Sequence, residues 1–249
     1  MSEEILINVT PMECRVALVE NGTVQELFVE RTAKRGLVSN IYKGKVVRVL
    51  PGMQAAFVEI GLSRTAFLHV NDIIFPKKID AQNEQPLINE LLHEGQMITV
   101  QVMKDMLGSK VSLFTTDLSI PSRYLVYMPF GEHIGISQRI ESEAERERLK
   151  VLTRLIRDEH SDSLKGGVIV RTAAEGISEE ELRQDMSYLI KLWQHINEKK
   201  IKIQTPTLIY EELPLYQRII RDLVIQDVAK IYIDSRETLG KIVDFVREF

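Results

Sequence analysis

Phe57 and Phe67 stand where an alternating strand pattern should place half-solvated residues, and Lys43, Lys45, Arg48 and Arg64 outnumber Glu59 and Asp72 around them. Rings beside cations are what single-stranded nucleic acid requires, since every base has a π-face and every nucleotide a phosphate. His69 falls on the same strand as Phe67 and near the same face. Small barrels also need large core residues, so spacing alone leaves a core reading of the two rings and a base-stacking reading level.

A second constellation lies further along. Val168-Ile169-Val170 reads as a fully apolar strand ending in Arg171-Thr172, followed by the small residues Ala173-Ala174-Glu175-Gly176 and a helix opened by Ser178, with Glu181 in capping-box spacing. A guanidinium forks onto two oxygens of a phosphate monoester and a hydroxyl donates to a third. The competing reading pairs Arg171 with a helix carboxylate such as Glu180, and spacing slightly favours that surface pair.

Other chemistry is poorly supported. The five histidines are scattered without metal-ligand spacing, and there is no glycine-rich phosphate loop, paired nucleophile and base, or zinc motif. Asp234 ends the strand-like run Lys230–Asp234, where ligands collect in α/β folds, yet no second carboxylate cluster accompanies it. The single cysteine, Cys14, excludes an internal disulfide framework. A net charge of −4 over 249 residues makes a generic nucleic-acid coat a poor reading, so any such binding must come from local patches. No apolar run approaches membrane-span length and the amino terminus has no signal-peptide pattern, so a cytoplasmic location is expected.

The elements that must position these groups fall into four segments. Three strand-like runs occupy residues 5–31, with Asn21-Gly22 as a hairpin turn. A meander of that size cannot stand alone, so its partner must come from elsewhere in the chain. A barrel is predicted over 39–119, with Val46, Val49, Ala56, Val58 and Ile60 inward and turns at Pro51-Gly52 and Gly61. Residues 120–204 alternate strands with helices starting at Ser142 and Ser178. The first shows solvated Glu/Arg pairs; the second carries the packing stripe Leu182, Met186, Leu189, Ile190, Trp193 and Ile196, with Trp193 as core rather than a base platform. The strand-and-helix set over 205–249 can cover the opening meander, which makes the first and last segments one split domain carrying insertions.

The runs Gly44-Lys45-Val46, Ala56-Phe57-Val58, Gly61 and Phe67-Leu68-His69 resemble the RNA-binding barrel first described in ribosomal protein S-one. With the opening ILINVTPMECRVALVENGTVQELFVER and with SNIYKGKV, SRYLVYMP, ISQRIESE and GGVIVRTAAEG, the chain is similar to the amino-terminal half of the RNase E/G family of bacterial endoribonucleases. MQAAFVEIGL, HVNDI and SQRIESE are closer to its G than to its E members. The resemblance implies an α+β protein in which an OB-fold barrel and a 5′-sensor module are inserted into a split, RNase H-like domain, at 1–38, 39–119, 120–204 and 205–249. It also implies a single-strand-specific endoribonuclease acting in rRNA maturation and mRNA decay.

By the same resemblance, Arg171 and Thr172 match the arginine and threonine of a sensor for the 5′-monophosphate of RNA. Val126 matches an apolar wall of that pocket, and Ser122 stands where E members have glycine. Gln138 replaces an arginine that Arg139 beside it can substitute, and Lys110 matches a lysine gripping the RNA chain. No cofactor is expected on this chain. The catalytic carboxylates that hold magnesium, and the cysteines that share an inter-subunit zinc, belong to a later part of the family's chains. The partner implied is single-stranded RNA with a 5′-monophosphate. The full-length protein is expected to be a homo-oligomer, with a monomer open for a fragment of this length and a freestanding, non-catalytic RNA-binding or regulatory protein as the alternative.

Overall fold

The computed structural model describes residues 3–62, 65–74, 86–104, 112–161, 163–223 and 228–248, the side chains of Lys34 and Glu248 excepted. The chain opens as a meander: β1 (Glu3–Val9), β2 (Glu13–Glu20) and β3 (Thr23–Arg31) pair antiparallel in sequence order. Asn21 and Gly22 both take positive φ, at 49° and 76°, the paired left-handed conformation that a two-residue hairpin demands.

The next five strands close into a barrel. β4 (Ile41–Leu50), β5 (Ala55–Glu59) and β6 (Ala66–His69) form an antiparallel run. A single helical turn, α1 (Ile88–Leu91), precedes β7 (Met97–Lys104) and the short β8 (Leu113–Thr115). β8 lies parallel to β6 and antiparallel to β7, and β7 returns to β4, giving the closed order β4-β5-β6-β8-β7-β4. That order is OB-like. Val46, Ala56, Val58, Ile60, Leu68 and Phe114 fill the interior, each at most 4% exposed. Gly44 is required by that closure, because a Cβ there would stand 2.5 Å from Val58 Cγ1.

A second core adjoins the barrel within the same compact unit, residues 37–212. Its sheet runs β11 (Ile134–Ile136), β12 (Gly167–Val170), β10 (Leu125–Met128), β9 (Ile120–Pro121), with β11 parallel to β12 and the other pairs antiparallel. α2 (Glu143–Glu159) and α3 (Glu179–Lys202) cover it, starting at Ser142 and Ser178 as the caps predict, and Ser178 and Glu181 complete a reciprocal capping box. Leu182, Met186, Leu189, Trp193 and Ile196 of α3 are buried in this core, and Trp193 meets Tyr127 edge-on at 5.7 Å.

One strand goes elsewhere than the sequence grouping suggests. β13 (Thr207–Tyr210), read above with the closing segment, pairs with β4 through Thr207↔Lys43 and Leu208↔Tyr42, and Ile209 shares a core with Ile41. Its approach depends on Gly61, whose φ is 85° and whose missing Cβ would lie 2.7 Å from the Pro206 carbonyl oxygen.

The other compact unit joins residues 1–36 to 213–249. α4 (Leu215–Leu223), β14 (Val228–Ile233) and α5 (Arg236–Glu248) supply the partners that the meander lacks. β14 adds parallel to β1, and Ile5, Ile7 and Val16 pack against Ile219, Ile220, Ile242 and Phe245. Glu30 ties the meander to α4, accepting from the Leu215 amide and the Arg218 guanidinium.

Candidate nucleic-acid interface

Strand alternation decides the direction of the two rings. In β5 the flanking Ala56 and Val58 are wholly buried, which turns Phe57 outward, and in β6 Ala66 and Leu68 do the same for Phe67 and His69. Phe57 and Phe67 are directly paired across the strands, and all three rings are half-buried on the outer wall. Phe67 meets Phe57 edge-on, with centroids 6.0 Å apart, and lies at 29° to His69 at 6.4 Å. The rings thus form one row centred on Phe67. His69 Nδ1 accepts from the Asn71 amide at 3.2 Å, so the neutral ring carries its proton on Nε2.

Among the described residues, two exposed cations stand on the neighbouring strand β4. Arg48 is the cross-strand partner of Phe57 and Lys45 that of Glu59, both exposed. Lys43 is half-buried instead, its ammonium donating to the Lys200 carbonyl at 3.4 Å. Arg64 and Lys110 lie outside the described residues.

The second constellation gathers at the end of β12. Leu125, Tyr127, Val168 and Val170 face the core, so Val126 and its partner Ile169 face outward, and Arg171 leaves the strand on that side. Arg171 turns to the chain entering β10 rather than to Glu180, which accepts from Gln184: its NH1 donates to the Ser122 carbonyl at 2.5 Å and the Arg123 carbonyl at 3.3 Å. On the other side, Thr172 Oγ1 is 2.9 Å from Ser137 Oγ, just beyond β11. Ser137 is held in turn by Arg146, which donates to its carbonyl, and by its amide bond to the Val170 carbonyl. Gln138 and Arg139 are exposed, and the Arg139 amide donates to Ser137 Oγ at 3.4 Å. Arg171, Thr172, Val126, Ser122 and Arg139 therefore converge on one sheet end. The barrel residues form a separate group.

Sequence reading missed the groups that fix this end. Asp185 on α3 is 3% exposed and accepts from Ser122 Oγ at 2.6 Å, the Tyr124 amide at 3.0 Å and the Arg123 amide at 3.2 Å. Burial pushes its carboxyl up, opposed by those donors. Glu145 and Arg148 on α2 read as an ordinary intrahelical pair, but Glu145 also accepts from the Gly176 amide and Arg148 donates to the Ile177 carbonyl. Arg148 and the Gly176 N–H hold the Glu145 carboxyl down at about 2. A polar residue on the inner side of an otherwise apolar helix stripe was the available signal for Asp185; nothing local distinguishes Glu145.

Asp234 is similarly occupied. Its carboxylate accepts from Asn8 Nδ2 at 2.5 Å and the Val9 amide at 2.9 Å, which lowers its pKa and joins the end of β14 to β1. Among the described residues no group of three His, Cys, Asp or Glu is arranged to hold a metal ion.

The model of the ribonuclease E/G family matches residues 119–249, more than half of the chain and including the whole Arg171 constellation. The chain belongs to the ribonuclease E/G family. Ribonuclease G of Haemophilus influenzae is 52% identical to it over 99% of the chain and 50% of its own length. Ribonuclease G of Escherichia coli K12 is 49% identical over 100% and 51%, respectively. Ribonuclease E of E. coli K12 is 37% identical over 95% of the chain and 22% of its own length. The chain thus spans about half the length of the ribonuclease G relatives it matches. A solved structure of the Staphylococcus aureus RNase P protein aligns with 30% of the chain at a TM-score of 0.27 and 17% identity, too slight a likeness to bear on the fold.

Proposed function

We propose that this chain is the substrate-recognition part of a ribonuclease G-type endoribonuclease, binding single-stranded RNA along the barrel and the RNA's 5′-monophosphate at the end of β12. The observation that carries the reading is the outward row of Phe57, Phe67 and His69 on a closed OB-like barrel, with Lys45 and Arg48 exposed on the neighbouring strand β4. Bases stack on such a row without regard to sequence, and the cations follow the backbone. Lys110 and Lys43 extend the set of backbone contacts on this reading.

For the terminal phosphate, Arg171 supplies the charged donor, Thr172 and Ser137 supply hydroxyls, and Val126 supplies the apolar wall. The split domain built from residues 1–36 and 213–249 is RNase H-like on this reading and acts as scaffold, with the residues from Leu37 to Glu212 inserted in it. Metal-dependent phosphodiester hydrolysis uses carboxylates around a magnesium ion, and the described residues do not fit one: Asp234, the best-placed carboxylate, is engaged by Asn8 and Val9. The magnesium site and any zinc shared between subunits then belong to the part of the relatives' length that this chain does not span. Processing of ribosomal and messenger RNA in the cytoplasm by a homo-oligomer is the physiological role that follows.

The test is binding of two single-stranded oligonucleotides of one sequence, one ending in a 5′-monophosphate and one in a 5′-hydroxyl. The parent should prefer the monophosphate. Arg171→Ala should abolish the preference, a loss of roughly tenfold or more, since hydrogen bonds between charged groups are worth about 1.5–3 kcal/mol. Equal discrimination by parent and variant refutes the sensor assignment. A freestanding RNA-binding protein would use the same rings and pocket without cleavage.

A further inference from the structure

Asp185 is a carboxylate sealed inside the protein, and among the described residues no cationic side chain hydrogen-bonds to it. Its partners lie in the segment that enters β10 and at the first residue of that strand: the Ser122 hydroxyl, the amides of Arg123 and Tyr124, and the Leu125 backbone. When Asp185 gathers these donors inward, the peptide units of Ser122 and Arg123 present their carbonyls outward, and these are the carbonyls that receive Arg171 NH1. The order of contact is therefore a helix carboxylate, a clamped segment of chain and a guanidinium, all within the unit of residues 37–212. The Ser122 amide donates to the Leu125 carbonyl at 2.8 Å, which closes the segment into a turn beneath Asp185.

We propose that Asp185 is the positioning residue for Arg171: it does not touch the RNA, but it sets the direction in which the guanidinium meets the 5′-phosphate. This rests on the sensor reading above. Retaining a carboxylate in so dry a place is costly, and Asn in its place would turn an NH2 toward a cluster of donors, releasing at least one of them. An arginine whose anchoring carbonyls have rotated keeps its charge but loses its aim, and a misplacement on the order of 1 Å can cost about a hundredfold where geometry matters.

The experiment compares the parent with Asp185→Asn, Ser122→Ala and Arg171→Ala, measuring affinity for 5′-monophosphate and 5′-hydroxyl forms of one RNA, with thermal melting alongside. Asp185→Asn should cut the preference for the monophosphate by roughly tenfold while affinity for the 5′-hydroxyl RNA, a barrel property, stays within about twofold. Ser122→Ala, which leaves Asp185 its backbone donors, should lose a smaller part of the preference. A parent without preference overturns the sensor reading itself. Preference lost in Arg171→Ala but kept in Asp185→Asn overturns the positioning role alone. If Asp185→Asn also loses 5′-hydroxyl binding through unfolding, Ser122→Ala decides: full preference there refutes the role.

Discussion

Replacing Phe67 by Ala removes the central member of the ring row and so acts on fold and binding by separable amounts. In the free protein the substitution deletes two ring contacts, the edge-on pair with Phe57 at 6.0 Å and the near-parallel pair with His69 at 6.4 Å. Such pairs are worth about 0.5–1.5 kcal/mol each beyond buried area, so the barrel should lose roughly 1–3 kcal/mol of stability. One stacked base contributes about 1–3 kcal/mol, which predicts a rise in Kd on the order of 5- to 150-fold. Because Phe67 also orders both neighbours, its effect on binding should exceed that of Phe57→Ala, which deletes only one ring pair.

The assay is fluorescence anisotropy with a 5′-hydroxyl single-stranded RNA of about ten nucleotides, within the range of site sizes for one such barrel, paired with thermal melts. Phe67→Leu separates the effects, since it restores apolar volume without a π-face and should recover stability but not affinity. Unchanged affinity in Phe67→Ala with a lowered melting temperature would refute the argument and leave the ring a purely structural part of the outer wall.

Two further outcomes are expected. Glu145 is depressed in the fold from 4.5 to about 2, so its ion pair and its bond to Gly176 stabilise fully above the ordinary carboxylate range and are lost as pH falls through that interval. The stability gap between the parent and Glu145→Gln, read from urea midpoints, should hold constant above about pH 5 and close on acidification; a gap independent of pH refutes this. The purified chain should bind 5′-monophosphorylated RNA without cutting it in magnesium, because orientation accelerates a reaction only when the reacting groups are present. Magnesium-dependent cleavage would refute the placement of the catalytic carboxylates outside this chain, and its loss in Asp234→Asn would place the reaction here.

The elements that local chemistry controls were legible from the sequence. Asn21-Gly22 signalled a hairpin turn, Ser142 and Ser178 signalled helix starts, and Ala56 and Val58 read as inward barrel positions, because turn conformation, capping and strand alternation depend on neighbours within a few residues. The resemblance of the barrel and Arg171 runs to the ribonuclease E/G family was also legible in the sequence, as a likeness of motifs rather than a consequence of local chemistry.

What spacing left open was settled by contacts between distant parts of the chain. Whether Phe67 points into the barrel or out of it depends on how the barrel closes around β6, and the Glu180 reading of Arg171 gave way to carbonyls far away in sequence. The partner of strand 207–210 depends on the edge of β4 at residues 41–43, which β5, pairing only from Lys45 onward, leaves open opposite β7. Asp185 is an unremarkable helix residue until α3 packs on the sheet and brings Ser122 and its following amides within hydrogen-bond reach. Local pattern determines which face of an element is buried; which distant donor or acceptor meets that face is decided only by how the elements pack, as the Ser122 and Arg123 carbonyls meet Arg171 here.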